Sequence, residues 1–531
     1  MSEIWPLTYG LAPSVRHYPL LNGKIALVMP FPLKVATLHA VWRPIVEGMA
    51  RDAMPLQEMA RLSPCQPLNR IETFMNRLLM KGFLSITGIR ELSSDQYPAV
   101  SVIIPVRNRP HDIGACLDSL TRIAYPPEKL DIIVVDDASE DSTPDVVARF
   151  PMVRLVRLET HRQVSFCRNL GVQQAGGELL AFIDSDCTAT PLWLKALTPA
   201  FQEPSVGAVG GLVDAACEDN GLDRYEKVKS SLSMGASFRR SDSGDRFFYV
   251  PTCNFLVRRE LFLKLGGFQE SLHLGEDVDF CWRLQDDGAL LEYRPVGPVF
   301  HRHRNQLYHF FHRRFEYGTS EPMLQTLHPD RIKTFYVPVF ESLFWTLWIS
   351  GVCIRTPLLP AGAVVVWATT CLNSVRTLRK AGIPLDVRTI AVSTTRSYLS
   401  FGYRCCSFVS RYYLIMGLAL APFLHLVGGL IIAMHILTGV VDYVALRPRQ
   451  SAPSFLFYFS VEQIAYQAGV WRGCFRHRNF RPVFPKITGN LGGFATSFFG
   501  WIRKEIHGQN GQSGLVKSQI SVKEGKGNPA I

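Results

Sequence analysis

Three short apolar runs, each closed by polar or acidic residues, most tightly constrain the fold of this chain. Val100–Pro105 leads into Val106-Arg107-Asn108, Leu130–Val135 into Asp136-Asp137, and Leu179–Ile183 into Asp184-Ser185-Asp186. Continuous apolar runs of this length mark strands buried on both faces of a parallel sheet. A helical stretch, Pro110–Leu120, separates the first two, as a crossover between parallel strands requires. An α/β domain with a largely parallel sheet is therefore expected over about 98–330. Its polar residues gather at the carboxyl ends of strands, where open α/β sheets bind ligands.

The chemistry of these ends is specific when they are taken together. Asp136 and Asp137 can accept hydrogen bonds from a nucleobase N–H and from ribose hydroxyls, although an acidic strand end also suits a turn or helix cap. Asp184 and Asp186, two residues apart after a buried strand, suit a hard divalent cation, Mg²⁺ or Mn²⁺, that bridges a diphosphate. Further on, Gly266-Gly267-Phe268 is followed by Gly275-Glu276-Asp277-Val278-Asp279. Asp277 near a helix start can take a proton from a hydroxyl. Glu276 is the neighbouring alternative, and acids there also complement the helix dipole. In Val299-Phe300-His301-Arg302-His303-Arg304, His301 is a candidate third metal ligand and the arginines suit a diphosphate; a basic surface loop is the other reading.

In order, VSVIIPVRNRP, VVDDASEDST, CRNLGVQQAGGELLAFIDSD, PTCNFLVRREL, LGGFQE and GEDVDFCWRL resemble glycosyltransferase family 2, whose catalytic domain has the GT-A fold. The resemblance covers about 98–304. It implies a nucleotide-sugar donor site that includes Pro105, Arg107, Asp136, Asp137, Arg168, Asp184 and Asp186. It implies that Asp184 and Asp186 form the motif that holds the metal, Mg²⁺ or Mn²⁺, and the diphosphate, and that Asp277 is the base of a single displacement with inversion. Asn254, Trp282 and Arg283 fall in the implied acceptor region. The QxxRW motif of processive synthases is absent, since Trp282-Arg283 stands in a different frame.

The flanks resemble a narrower group. Phe311–Ser320 and Ala465–Cys474 are similar to segments of the mycofactocin-system glycosyltransferases. Residues 5–90 are similar to the small peptide-binding domains of pyrroloquinoline-quinone-type biosynthesis, which grip a precursor peptide by adding a strand. The resemblance implies a modified-peptide redox cofactor as acceptor and glucose from UDP-glucose. A membrane enzyme acting on a lipid-linked or cell-wall glycan is the alternative, and an inactive peptide-holding scaffold is opposed by the intact Asp136, Asp184, Asp186 and Asp277.

Residues 5–90 are expected to form a winged-helix-like module. A hairpin turns at Asn22-Gly23, helices follow at Leu33–Ala50, Pro55–Leu62 and Leu68–Lys81, and Phe83–Ile86 closes it. Residues 335–445 read as a membrane-associated region. It holds apolar runs at Tyr336–Ile354, Leu358–Leu372 and Leu414–Val441, the last crossing once or bending at Gly428-Gly429. Seven basic residues between 376 and 411, opposed only by Asp386, mark a cytoplasmic loop. The first two runs suit either a hairpin dipping into the bilayer or two crossings. A C-terminal helical element is expected at 446–506 and a disordered tail at 507–531.

The net charge of +12, without zinc-finger spacing or a basic zipper, points to the inner membrane face and a phosphate-rich substrate rather than nucleic acid. Twelve cysteines with no CxxC spacing suggest free thiols in a reducing compartment. Met1–Ala12 lacks a secretory pattern, so the catalytic part is expected at the cytoplasmic face of the cell membrane.

Overall fold

The computed structural model describes residues 7–88, 92–243 and 245–489. At its centre lies an eight-stranded sheet in the spatial order Arg239–Arg240, Leu290–Tyr293, Val206–Gly210, Phe255–Arg258, Leu179–Phe182, Val100–Val106, Leu130–Asp136 and Val153–Arg157. The last four are parallel to one another, whereas Phe255–Arg258 runs antiparallel to both of its neighbours. The sheet is mixed, with its parallel half formed by the three runs first recognised in the sequence and by Val153–Arg157.

Both faces of that half are covered, which is why the runs are continuous rather than alternating. Val102, Ile104, Ile132 and Val134 pack against Ile113, Leu117 and Leu120 of helix Pro110–Thr121. Ile103, Ile133 and Val135 pack against Cys167 and Val172 of helix Val164–Gln174 on the other face. Full burial of each such aliphatic side chain contributes about 1.5–3 kcal/mol, so the strand ends and the carboxylates they carry are firmly fixed. A smaller sheet, Cys187–Ala189, Val299–His301 and Val213–Ala215, sets Cys187 directly opposite His301.

The N-terminal unit pairs Thr8–Leu11 with Leu84–Thr87 and holds a three-stranded antiparallel sheet of Arg16–Pro19, Ile25–Pro30 and Leu33–Leu38. Helices Arg43–Met49, Leu56–Leu62 and Leu68–Met80 follow. A hairpin forms at 22–23, though through a 3-10 turn over Leu21–Gly23 rather than a two-residue turn, and Leu33–Ala50 is not one helix. Leu33–Leu38 is a strand with both faces covered: Val35 packs against Val375, Leu378 and Ile390, while Ala36 and Leu38 face the unit's own core. A short run buried on both sides has no period with which to announce itself. The ends of the 5–90 range, at residues 5–6 and 89–90, lie outside the described residues.

Beyond the sheet domain, the chain forms helices Leu307–Leu327, Val339–Ile354, Leu358–Lys380, Val387–Leu420, His425–Leu446 and Ala452–His477. Two of them, Leu358–Lys380 and His425–Leu446, are long and apolar enough to cross a membrane. The basic stretch 376–411 is not a loop. Only 381–386 connects two helices, and Asp386 caps the second by accepting from the Thr389 amide at 2.6 Å; arginine is a good helix former. The apolar run Leu414–Val441 breaks at Ala421–Leu424, beside Pro422, rather than at Gly428-Gly429. Gly428 instead lets the two helices meet, since a Cβ there would stand 2.4 Å from the Ala421 Cα. The expected C-terminal element is helix Ala452–His477; residues 490–506 and the expected tail lie outside the described residues.

Candidate active site

A cleft of about 410 Å³ opens at the carboxyl ends of the parallel strands. Pro105, Arg107, Asp137, Arg168, Asp184, Asp186, Glu276, Asp277 and His301 all line it. Positions separated by up to about 200 residues are thus brought to one place by the sheet and its crossovers.

Helix Val164–Gln174 carries Arg168 into the floor. Its guanidinium is buried and donates to Glu276 Oε1 and to Asp184 Oδ1, each at 2.7 Å. One cation therefore joins the acidic strand end at 184 to the acidic helix start at 276. Glu276 and Asp277 open helix Glu276–Asp286, which follows Gly275. Gly275 has φ +85°, a left-handed conformation that favours glycine, and the turn aims the first acids of the helix at the cleft. Burial pushes the Asp277 carboxyl up to about 7, and the neighbouring Glu276 charge adds to the shift. A carboxylate at that value is half ionised near neutrality, the most effective range for a general base.

Asp186, two residues beyond Arg168's partner Asp184, lines the same cleft. The strand register that opposes Cys187 to His301 brings His301 Nε2 to 3.4 Å from Asp186 Oδ1. Ligand atoms of Asp186, Cys187 and His301 lie within 4.8 Å of one another. Burial opposes ionisation of Asp186, yet His301 and Arg109 hold its carboxyl below the usual range. A carboxylate and an imidazole that converge while a second carboxylate lines the same cleft are a donor set that suits a divalent cation.

The paired aspartates at 136–137 divide. Asp137 lines the cleft and its carboxylate is enclosed by one loop, accepting from the Arg162 amide at 2.7 Å and the Gln163 amide at 3.2 Å, with His161 Nδ1 at 2.6 Å. Asp136 does not line it. It is fully buried, accepts from the Ser139 amide and stands 3.4 Å from Arg157 Nε. Its carboxylate fixes the loop after the strand.

None of the three residues expected in the acceptor region lines the cleft. Asn254 is completely buried. It accepts from Trp193 Nε1 and donates to the carbonyls of Leu212 and Gly297, so every polar atom of its side chain is used in holding the sheet domain together. Trp282 is buried against Phe247 and His328. Arg283 is turned to Asp279 and to the carbonyls of Leu265 and Gly267.

Sequence reasoning missed other residues of the cleft. Arg109 is ion-paired with Asp186. His161, His303, Arg313 and Tyr317 also line the cleft, as does Arg304, one of the two arginines that the sequence had offered to a diphosphate. Arg314, a further lining residue, is buried and donates to both oxygens of Glu226 at 2.8 and 3.0 Å. Arg313, Arg314 and Tyr317 stand at i, i+1 and i+4 on helix Leu307–Leu327. A helical reading of that segment would have put Arg313 and Tyr317 on one face, which was the available signal.

Residues 101–266 match the family model for glycosyl transferase family 2. The chain is 30% identical over 411 residues to a pre-mycofactocin glycosyltransferase of Mycobacterium tuberculosis, an alignment that covers 75% of this chain and 84% of that one. It is 31% identical over 202 residues to glycosyltransferase AglE of Haloferax volcanii, covering 37% of this chain and 64% of that one. Among solved structures, the mannosyltransferase PcManGT from Pyrobaculum calidifontis, in complex with GDP-Man and Mn²⁺, aligns over 58% of this chain and 86% of its own at 19% identity, with a TM-score of 0.35.

Proposed function

The chain belongs to glycosyltransferase family 2, and from that premise we propose that it transfers a hexose, glucose from UDP-glucose, onto a peptide-derived redox cofactor of the mycofactocin type. The observation that carries the reading is the convergence of Asp184, Asp186, Glu276, Asp277 and His301 on one cleft. The acceptor class is carried over from the mycobacterial pre-mycofactocin glycosyltransferase, which this chain matches along three quarters of its length.

In the proposed reaction Asp137 binds the nucleoside and Asp136 keeps its loop in place. Asp186 and His301, with Asp184 beside them, would hold Mg²⁺ or Mn²⁺. When bound, the cation neutralises charge on the leaving diphosphate. Asp277 takes the proton of the acceptor hydroxyl. The hydroxyl oxygen forms the new bond to the anomeric carbon, the bond from that carbon to the diphosphate oxygen breaks, and UDP departs with the electron pair. Attack from the face opposite the leaving group inverts the anomeric centre. Arg168 holds Glu276 and Asp184 in fixed relation, so base and donor motifs stay in register during transfer.

The unit at 7–88 is assigned to precursor-peptide recognition, and the apolar helices to the cytoplasmic face of the cell membrane. The exposed apolar side chains of helices Leu358–Lys380 and His425–Leu446 support the second assignment. The same helices favour the competing reading, a lipid-linked or cell-wall glycan as acceptor. Purified full-length protein with UDP-glucose and Mn²⁺, offered either the modified-peptide cofactor or a lipid-linked glycan, separates the two. Glucosylated cofactor with the anomeric centre inverted is the expected product, and transfer to the lipid alone would refute the proposed acceptor.

A further inference from the structure

Asp184 and Asp186 each have an arginine partner, and the two pairs differ in kind. Arg168 is 4% exposed and locked between Asp184 and Glu276. Arg109 is 32% exposed, pairs with Asp186 from the loop before helix Pro110–Thr121, and lies 3.9 Å from a second carboxylate, Asp112. Asp112 is in turn 3.2 Å from Arg302. Arg109 thus has one half-buried partner, a second one within reach and room to move, whereas Arg168 has none of that freedom.

We propose that Arg109 is the resident counter-cation of Asp186, which a divalent ion displaces toward Asp112, so that this one side chain lowers and sets the affinity of the metal site. The proposal rests on the reading of Asp186 as a metal-binding carboxylate. Its physical basis is competition. A guanidinium and a divalent cation cannot both take the same carboxylate oxygens, and their mutual repulsion at a few ångströms is strong in a partly buried cleft. Asp186 Oδ2 accepts from Arg109, while Oδ1 faces His301. The guanidinium therefore sits on the carboxylate that also belongs to the converging donor set of Asp186, Cys187 and His301. Asp112 offers the displaced side chain a partner without a change of backbone, because Arg109 and Asp112 flank the first turn of one helix. Such an arrangement orients the Asp186 carboxylate before the metal arrives, at the expense of affinity. Arg109 is in this sense a positioning residue, acting on the site through Asp186.

Mn²⁺ binding to the full-length protein, followed by electron paramagnetic resonance without nucleotide, tests this independently of turnover. Arg109→Gln should bind Mn²⁺ about fivefold tighter than wild type, the scale set by loss of one partly exposed ion pair. Arg109→Lys, which keeps the charge, should stay near wild type. Asp112→Asn should weaken binding about twofold, and the effect should vanish when Arg109→Gln is already present. A merely structural Arg109 would give weaker binding when replaced. Unchanged or weaker binding by Arg109→Gln, with the site still lost in Asp186→Asn, overturns the role of Arg109. Wild-type binding by Asp186→Asn overturns the metal reading of Asp186 itself, and this inference with it.

Discussion

The sheet domain and the helices between 339 and 446 reverse each other's use of polarity. In the first, charge is buried against partners: Asp136, Asp137, Arg168, Glu276 and Asp279 are all under 10% exposed. In the second, large apolar side chains face outward, with Leu358 at 79%, Phe423 at 80% and Leu426 at 83% exposure. Burying charge is costly unless each group is paired, so a domain that does so repeatedly around one cleft is organised for chemistry. Exposing apolar surface in water is costly in the opposite sense, and it concentrates at the two hairpin turns, 352–358 and 421–427. The difference teaches that the two regions are built for different surroundings, the first for a polar ligand and the second, on the proposed reading, for lipid.

Breaking the polar side of that comparison should have the largest effects. Asp277→Asn is expected to lower the transfer rate by about 10²–10⁴-fold, the range for loss of a general base; a rate within tenfold of wild type would remove Asp277 from the mechanism. Arg168→Met leaves the buried Glu276 and the part-exposed Asp184 without their shared partner and should destabilise the sheet domain by about 3 kcal/mol. A shift in denaturation midpoint equivalent to less than about 1 kcal/mol, a typical surface-pair contribution, would mean that the bridge is not structural. The apolar side is sharpened by Phe423→Glu with Leu426→Glu. Binding to anionic vesicles should fall at least about tenfold, as each lost apolar anchor removes about 1.5–3 kcal/mol. Folding and UDP binding should be unaffected, and unchanged vesicle binding would exclude this turn from the lipid contact.

Much of the polar side was legible in the sequence because it is local. A strand run followed by its acids is read within ten residues, so Asp137, Asp184, Asp186 and Asp277 were placed at strand ends and helix starts where they stand. Long-range geometry was not legible. That Asp137 faces the cleft while Asp136 turns beneath it follows from the pleat, in which successive side chains point to opposite faces, but which face carries the cleft depends on the loop 161–163. Asn254 lies within a matched motif, yet its amide is consumed by Trp193, Leu212 and Gly297, partners far away in sequence. Arg109 was invisible for the same reason, since its partner is 77 residues distant. In the helical region, composition announced the apolar segments, but the arginine-rich stretch 376–411 read as a loop. Charge asymmetry reports sidedness, not backbone conformation.

The pH dependence of transfer is the most direct test. Burial and the adjacent Glu276 hold Asp277 at about 7. The base acts only when ionised, so kcat/KM should fall as pH drops below about 7 and level off above it. The full pH dependence of kcat/KM, measured between pH 5 and 9 for wild type and for the residual activity of Asp277→Asn, decides the matter. A limb near 7 in wild type that disappears in the variant is the predicted result. A flat wild-type profile, or a limb that survives in Asp277→Asn, would contradict Asp277 as the base of this glycosyltransferase.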